Sequence, residues 1–260
     1  MFHFNVIPPV PNAKDKIESY FVSPLVLAII RSCILAYTFA IMIATIIEYH
    51  EVTTMFYGFL TILSYYCLII YFMIVTACSV IYVWKKRIPL ESSPRLNLLI
   101  TGFYHFMLMD CLMVTILYWS MAIRLEDPFT GVKGWVNISG HALQSMFLLM
   151  EFLLTKQKWS WKHIPGIIAV LFFYLAYIIL LNVWFNISVY PFLNFQNISV
   201  LATYISIMVA IFFIVGIIVN LLHIGRDLIG ERYSVYFKRR SNNIGNITQL
   251  DSSEVKLDLA

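Results

Sequence analysis

Charge is what this chain has least of. Only 12% of its residues are Asp, Glu, Lys or Arg, whereas a soluble domain carries about a quarter. That scarcity argues against an ordinary water-facing surface, and a net charge of +4 is too small to suggest a nucleic-acid partner. Cysteine is also sparse. Cys33, Cys67, Cys78 and Cys111 all fall in apolar stretches with no CxxC spacing, which argues against a zinc site or a disulfide framework. Four inert thiols are expected, and neither a metal nor a cofactor. An early basic patch leading straight into an apolar run is missing too. Pro8, Pro9 and Pro11 are followed by Lys14, Asp15, Lys16 and Glu18, so a cleavable signal peptide is not expected and the first apolar segment would act as an uncleaved anchor.

Apolar residues are abundant. They make up 60% of the chain, the mean hydropathy is +0.80, and they come in runs of roughly 20, the length that crosses a ~30 Å hydrocarbon layer. Six such segments occur: Leu25–Ile47, Phe56–Trp84, Leu98–Ile123, Trp135–Leu154, Ile164–Phe185 and Ile198–His223. The expected fold class is all-α, a polytopic membrane helix bundle of about six transmembrane helices. Residues 1–24 form a cytosolic N-terminal segment, 25–224 the transmembrane domain and 225–260 a cytosolic tail, whose polar stretch from Ser241 reads as disordered.

The fourth segment is the shortest and most polar, and without it the termini would fall on opposite sides. With six spans, Lys14, Lys16, Lys85, Lys86, Arg87, Arg95, Lys156, Lys158 and Lys162 share one side with Arg226, Arg232, Lys238, Arg239 and Arg240. Only Arg124 and Lys133 lie opposite, so the positive-inside rule puts both termini in the cytosol. Asn137, Asn186, Asn197 and Asn246 open N-x-S/T triplets; the first lies at a helix start, the next two hug the membrane and the last is on the cytosolic side, so none is expected to be glycosylated.

Polar residues inside a span each need a reason, because they cost at least a few kcal/mol there. Arg31, two turns into the first span, is expected to snorkel to the cytosolic headgroups. Asp110 sits near the middle of the third span with no obvious cation opposite, so a functional role and a helix-pairing role remain open. In the fourth segment Asn137, His141, Gln144, Leu148 and Glu151 fall on one helical face. The stripe reads either as a site or as a packing seam eased by Ser139, Gly140 and Ser145. Glu151, near the cytosolic end, is expected to reach the interface. His141 lies roughly 9 Å inside the opposite boundary at about 1.5 Å per residue. Thr53, Thr54, Thr61 and Ser64 lie near the start of the second span, at the same membrane face. Thr61 nearly matches the depth of His141, and a hydroxyl beside an imidazole is one requirement of base-activated nucleophilic catalysis.

At these residues the sequence resembles the androgen-induced and androgen-dependent TFPI-regulating proteins, a family of multipass membrane hydrolases with fungal relatives. The likeness rests on W-V-N-I-S-G-H at Trp135–His141 with Glu151 ten residues after the histidine. It also includes Phe59-Leu60-Thr61, Tyr118-Trp119 and V-Y-P-F-L at Val189–Leu193. In order these span about residues 60–250, and likeness before Phe56 is weak. The resemblance implies a threonine hydrolase of fatty acid esters of hydroxy fatty acids, with Thr61 as nucleophile and His141 as base. Asn137 would orient the imidazole or donate to the oxyanion, with Asp110 and Glu151 as further supporting candidates. Many relatives carry a second histidine after the asparagine; Ile138 stands there in this chain, so no second imidazole is implied.

The expected partners are the lipid bilayer and a branched fatty acid ester, and the expected residence is the endoplasmic reticulum. Two other readings compete. One is a non-enzymatic carrier or assembly factor, in which the stripe is a path or a seam. The other is a haem protein in which His105 and His223 pair across helices.

Overall fold

The computed structural model describes residues 11–49, 58–122, 130–190 and 197–257. The described residues are predominantly helical, and no strand occurs among them. The helices are α1 (Pro24–Glu48), α2 (Leu60–Lys85), α3 (Pro94–Ala122), α4 (Gly131–Ile138), α5 (Gln144–Leu154), α6 (Ile164–Phe185) and α7 (Ile198–Leu257). A π-helical turn, Ser139–Leu143, joins α4 directly to α5. Five helices are long and apolar enough to cross a membrane: α1, α2, α3, α6 and α7. The fourth segment is absent from that set because the π turn divides it into two short helices. A continuous helical path nevertheless runs from Gly131 to Leu154.

Capping explains several boundaries. Ser23 accepts the N–H of Val26, and Pro24 at the first helical position needs no acceptor, so α1 starts there. Helix α2 has no side-chain cap at Phe59. The Tyr190 hydroxyl takes the orphan N–H of Leu60 instead, at 2.9 Å. Helix α7 continues through Leu257, into the stretch for which the sequence suggested a disordered tail. Once a helix is nucleated, extending it costs little, so a polar segment can prolong one that packing has already fixed.

Helix α3 lies at the centre: 61% of its apolar window is buried, against 17% for the α6 window and 22% for that of α7. It packs on α2, α5 and α7, while α1 packs on α2 and α4. Leu68, Tyr71, Phe72, Tyr104, Met107 and Leu148 form the core between them. The outer faces of α6 and α7 expose Phe172, Phe173, Trp184, Ile214 and Leu221, a surface that fits lipid better than water. Lipid tails are as apolar as leucine, so packing and interhelical hydrogen bonds hold such a bundle together.

The main polar knot corrects two expectations. Arg31 does not snorkel outward; it is completely buried and ion-paired with Glu151. Glu151 correspondingly points inward rather than to the interface. The guanidinium uses all five of its donors. Nε reaches Glu151 Oε2 at 2.9 Å and Nη2 donates to the other oxygen and to the Lys16 carbonyl. Nη1 donates to the Val75 carbonyl and to the Ser79 hydroxyl. The Tyr71 hydroxyl donates to Glu151 at 2.9 Å. The N-terminal segment is thereby drawn under the bundle, where Lys16 also bonds the Asn97 side chain. Burial pushes the Lys16 ammonium down to about 8, with Asp15 opposing.

Candidate functional site

The site lies where the first turn of α2 meets the π turn. Thr61 is the second residue of α2, and its Oγ1 is 3.5 Å from His141 Nδ1. That is the outer limit of a hydrogen bond, and catalytic contacts are often this long before substrate binds. Both side chains are half-buried. Gly140 faces Thr61 beside this approach: a β-carbon there would sit 3.5 Å from Thr61 Cγ2, an ordinary van der Waals contact.

His141 occupies the middle of the π turn, in which the Gln144 N–H bonds back five residues to the Ser139 carbonyl. Such turns insert an extra residue into a helix and tend to occur at functional positions. Helix α3 grips the turn. The Thr115 hydroxyl donates to the His141 carbonyl at 2.7 Å, and Trp119 Nε1 donates to the same oxygen at 3.3 Å. The Tyr118 ring stacks on the imidazole, with centroids 3.5 Å apart and planes 3° from parallel. From α1, the Tyr37 hydroxyl lies 2.8 Å from Ser139 Oγ.

The other end of Thr61's turn is held by two tyrosines. Tyr190 bonds Leu60, Tyr174 donates to the Gly58 carbonyl at 2.9 Å, and their phenolic oxygens are 3.1 Å apart. Tyr190 belongs to the V-Y-P-F-L stretch, whose last three residues lie outside the described residues. Sequence reasoning gave no role to Tyr118, Tyr174 or Tyr190. Tyr118 stands three residues after Thr115, so the two share the α3 face toward the π turn, but nothing in the sequence marks which helix that face meets.

The remaining candidates separate from the Thr61–His141 pair. Thr53 and Thr54 lie outside the described residues. Ser64, one turn below Thr61, donates to Asp110 Oδ2, so its hydroxyl is committed elsewhere. Asp110 is buried with no cation partner among the described residues, and its Oδ1 is unpaired. Asn137 is half-buried and makes no hydrogen bond to His141. Glu151 belongs to the Arg31 knot, separated from His141 by fully buried Leu148. The stripe on the fourth segment therefore faces the interior, but it serves two places.

Among the described residues no group of three or more His, Cys, Asp or Glu could hold a metal, and all four cysteines are free. His105 and His223 do approach, at 6.5 Å between centroids, within a cluster including Trp159 and His163. His223 has Nδ1 on the Val219 carbonyl and Nε2 3.2 Å from the Tyr104 hydroxyl.

Fold and site together define an all-helical protein with five helices long and apolar enough to cross a membrane, in which a threonine hydroxyl lies 3.5 Å from a histidine nitrogen. Comparison with family models, with curated proteins and with solved structures found no match.

Proposed function

We propose that this protein is an integral-membrane lipid ester hydrolase with Thr61 as nucleophile and His141 as general base. The observation that carries this reading is the 3.5 Å approach of Thr61 Oγ1 to His141 Nδ1. Thr61 is one hydroxyl among several at suitable depth, and among the described residues it is the one beside the imidazole. The motif resemblance, at the same two residues, supports fatty acid esters of hydroxy fatty acids as the substrate class.

Threonine is a weak nucleophile until a base takes its proton. In the proposed reaction Thr61 Oγ1 attacks the ester carbonyl carbon as its proton passes to His141 Nδ1. The tetrahedral intermediate collapses, the C–O bond to the alcohol breaks, and the proton on Nδ1 goes to the departing oxygen. Water then attacks the acyl-threonine by the reverse route, giving a fatty acid and free Thr61. The N–H of Thr61, in the first helical turn where amides lack intrahelical acceptors, would be one backbone donor for the developing oxyanion. A two-chained ester would enter sideways from the bilayer with its polar centre near the interface.

The same reading places the protein in the endoplasmic reticulum, with six crossings and both termini cytosolic. A sixth crossing is supported by the path of the fourth segment: His141 meets the start of α2, whereas Glu151, at the other end, meets the first turns of α1.

The test is hydrolysis of a hydroxy-fatty-acid ester by purified full-length protein, together with labelling by a lipophilic fluorophosphonate. Thr61→Ala is expected to lose both turnover and label, and His141→Ala to lower turnover by about 10²–10⁴-fold. Wild-type rates in both variants would sink the mechanism and leave a carrier or assembly role.

A further inference from the structure

Histidine bases in hydrolases usually lean on a carboxylate that stabilises the imidazolium formed during proton transfer. Here, among the described residues, no carboxylate bonds to His141. A tyrosine ring covers its face instead, 3.5 Å away and within 3° of parallel. We propose that Tyr118 is the positioning residue of this site, its π face doing for the His141 imidazolium what a triad carboxylate does elsewhere. The inference rests on the Thr61–His141 reading above.

The geometry discriminates between the two protonation states of the ring. Two neutral aromatic rings avoid a face-to-face sandwich because their negative faces repel. A cation over the same face is attracted. Cofacial stacking at this distance therefore favours the imidazolium over the imidazole. The charged ring exists only after Thr61 Oγ1 has given its proton to Nδ1, so the contact strengthens as the transition state forms, and only such differential contacts raise kcat.

Orientation follows from the same contacts. Thr115 and Trp119 hold the His141 carbonyl, which fixes the backbone of the π turn. Tyr118, one residue before Trp119 on α3, fixes the ring plane. For Nδ1 to take the Thr61 proton, the neutral imidazole must carry its own proton on Nε2.

The experiment compares kcat and KM of the purified full-length protein for the hydroxy-fatty-acid ester with Tyr118, with Tyr118→Phe, and with mono-, di- and trifluorinated phenylalanine at position 118. Fluorine keeps the ring's shape and drains its negative face, so packing is preserved while electrostatics change. Tyr118→Phe, which keeps the π face and removes the hydroxyl, is the reference for the fluorinated rings. The fluorinated series is expected to lower kcat stepwise, to roughly tenfold for the trifluorinated ring, a loss within the range of a partly desolvated cation–π contact. KM should not move. Thr61→Ala and His141→Ala are run alongside. If both are inactive while all fluorinated rings match phenylalanine, Tyr118 only packs against the base and the inference is overturned while the hydrolase reading stands. If Thr61→Ala and His141→Ala keep wild-type turnover, both fall together.

Discussion

At the residue scale the costliest arrangement in the molecule is the Arg31–Glu151 pair. Two buried charges repay their desolvation only when every donor and acceptor finds a partner, and Arg31 does so with all five N–H groups. Arg31→Met should therefore destabilise the protein by about 3–5 kcal/mol, because it strands Glu151 without a counter-charge. The double variant Arg31→Met with Glu151→Met should recover most of that loss. Thermal unfolding in detergent, followed by intrinsic fluorescence, compares the three; a double variant as unstable as the single one would mean that Tyr71 and Ser79 need Arg31 for geometry rather than charge. Single residues were unevenly legible in the sequence. Depth along a span brought Thr61 and His141 to one level, because depth is a property of one helix at a time, but it did not select Thr61 from Thr53, Thr54 and Ser64. Arg31 read as a snorkelling side chain because its partner stands 120 residues away, a distance that no local pattern reports. Tyr118 and Tyr190 were visible only as parts of short motifs, since ring stacking and capping from another segment depend on which faces meet.

At the element scale the π turn is the feature that helical periodicity could not reveal. The spacing of Asn137, His141, Gln144, Leu148 and Glu151 assigned one face to the interior, where Gln144, Leu148 and Glu151 are buried and Asn137 and His141 half-buried. An ideal 3.6-residue period gave no sign that an extra residue is absorbed at Ser139–Leu143. That turn is also why an interior segment rich in small and polar residues does not form one uninterrupted long helix. Gly140 tests how tightly the turn is fitted to α2. A β-carbon there meets Thr61 Cγ2 at 3.5 Å, an ordinary van der Waals contact, so Gly140→Ala should keep turnover within a few-fold. Gly140→Leu cannot be fitted without pushing Thr61 off the imidazole. A displacement on the order of 1 Å can cost about 10²-fold in rate, so kcat should fall by about that much while thermal stability changes far less. Equal activity in the two variants would show that the Thr61–His141 approach does not depend on this contact.

At the scale of the whole molecule, one end of the bundle collects the groups that positive charge assigned to the cytosol. The Lys156 N–H donates to the Asp15 carbonyl and its ammonium pairs with Glu18. Arg226 reaches the carbonyls of Phe152 and Gln157. The N-terminal segment, the stretch after α5 and the middle of α7 thus meet at one end. A natural reporter separates six crossings from five. Asn246-Ile247-Thr248 is a glycosylation acceptor triplet that stays in the cytosol if the fourth segment spans, and faces the lumen if it does not. Expressed in endoplasmic reticulum membranes, the wild-type chain and Asn246→Gln should migrate identically with and without glycosidase. An acceptor triplet inserted between Arg124 and Lys133 on a flexible spacer should add a glycan. A glycan on the native chain that Asn246→Gln removes would put the C-terminus in the lumen and make Gly131–Leu154 re-entrant. His141 would then approach Thr61 from a hairpin rather than from a spanning helix.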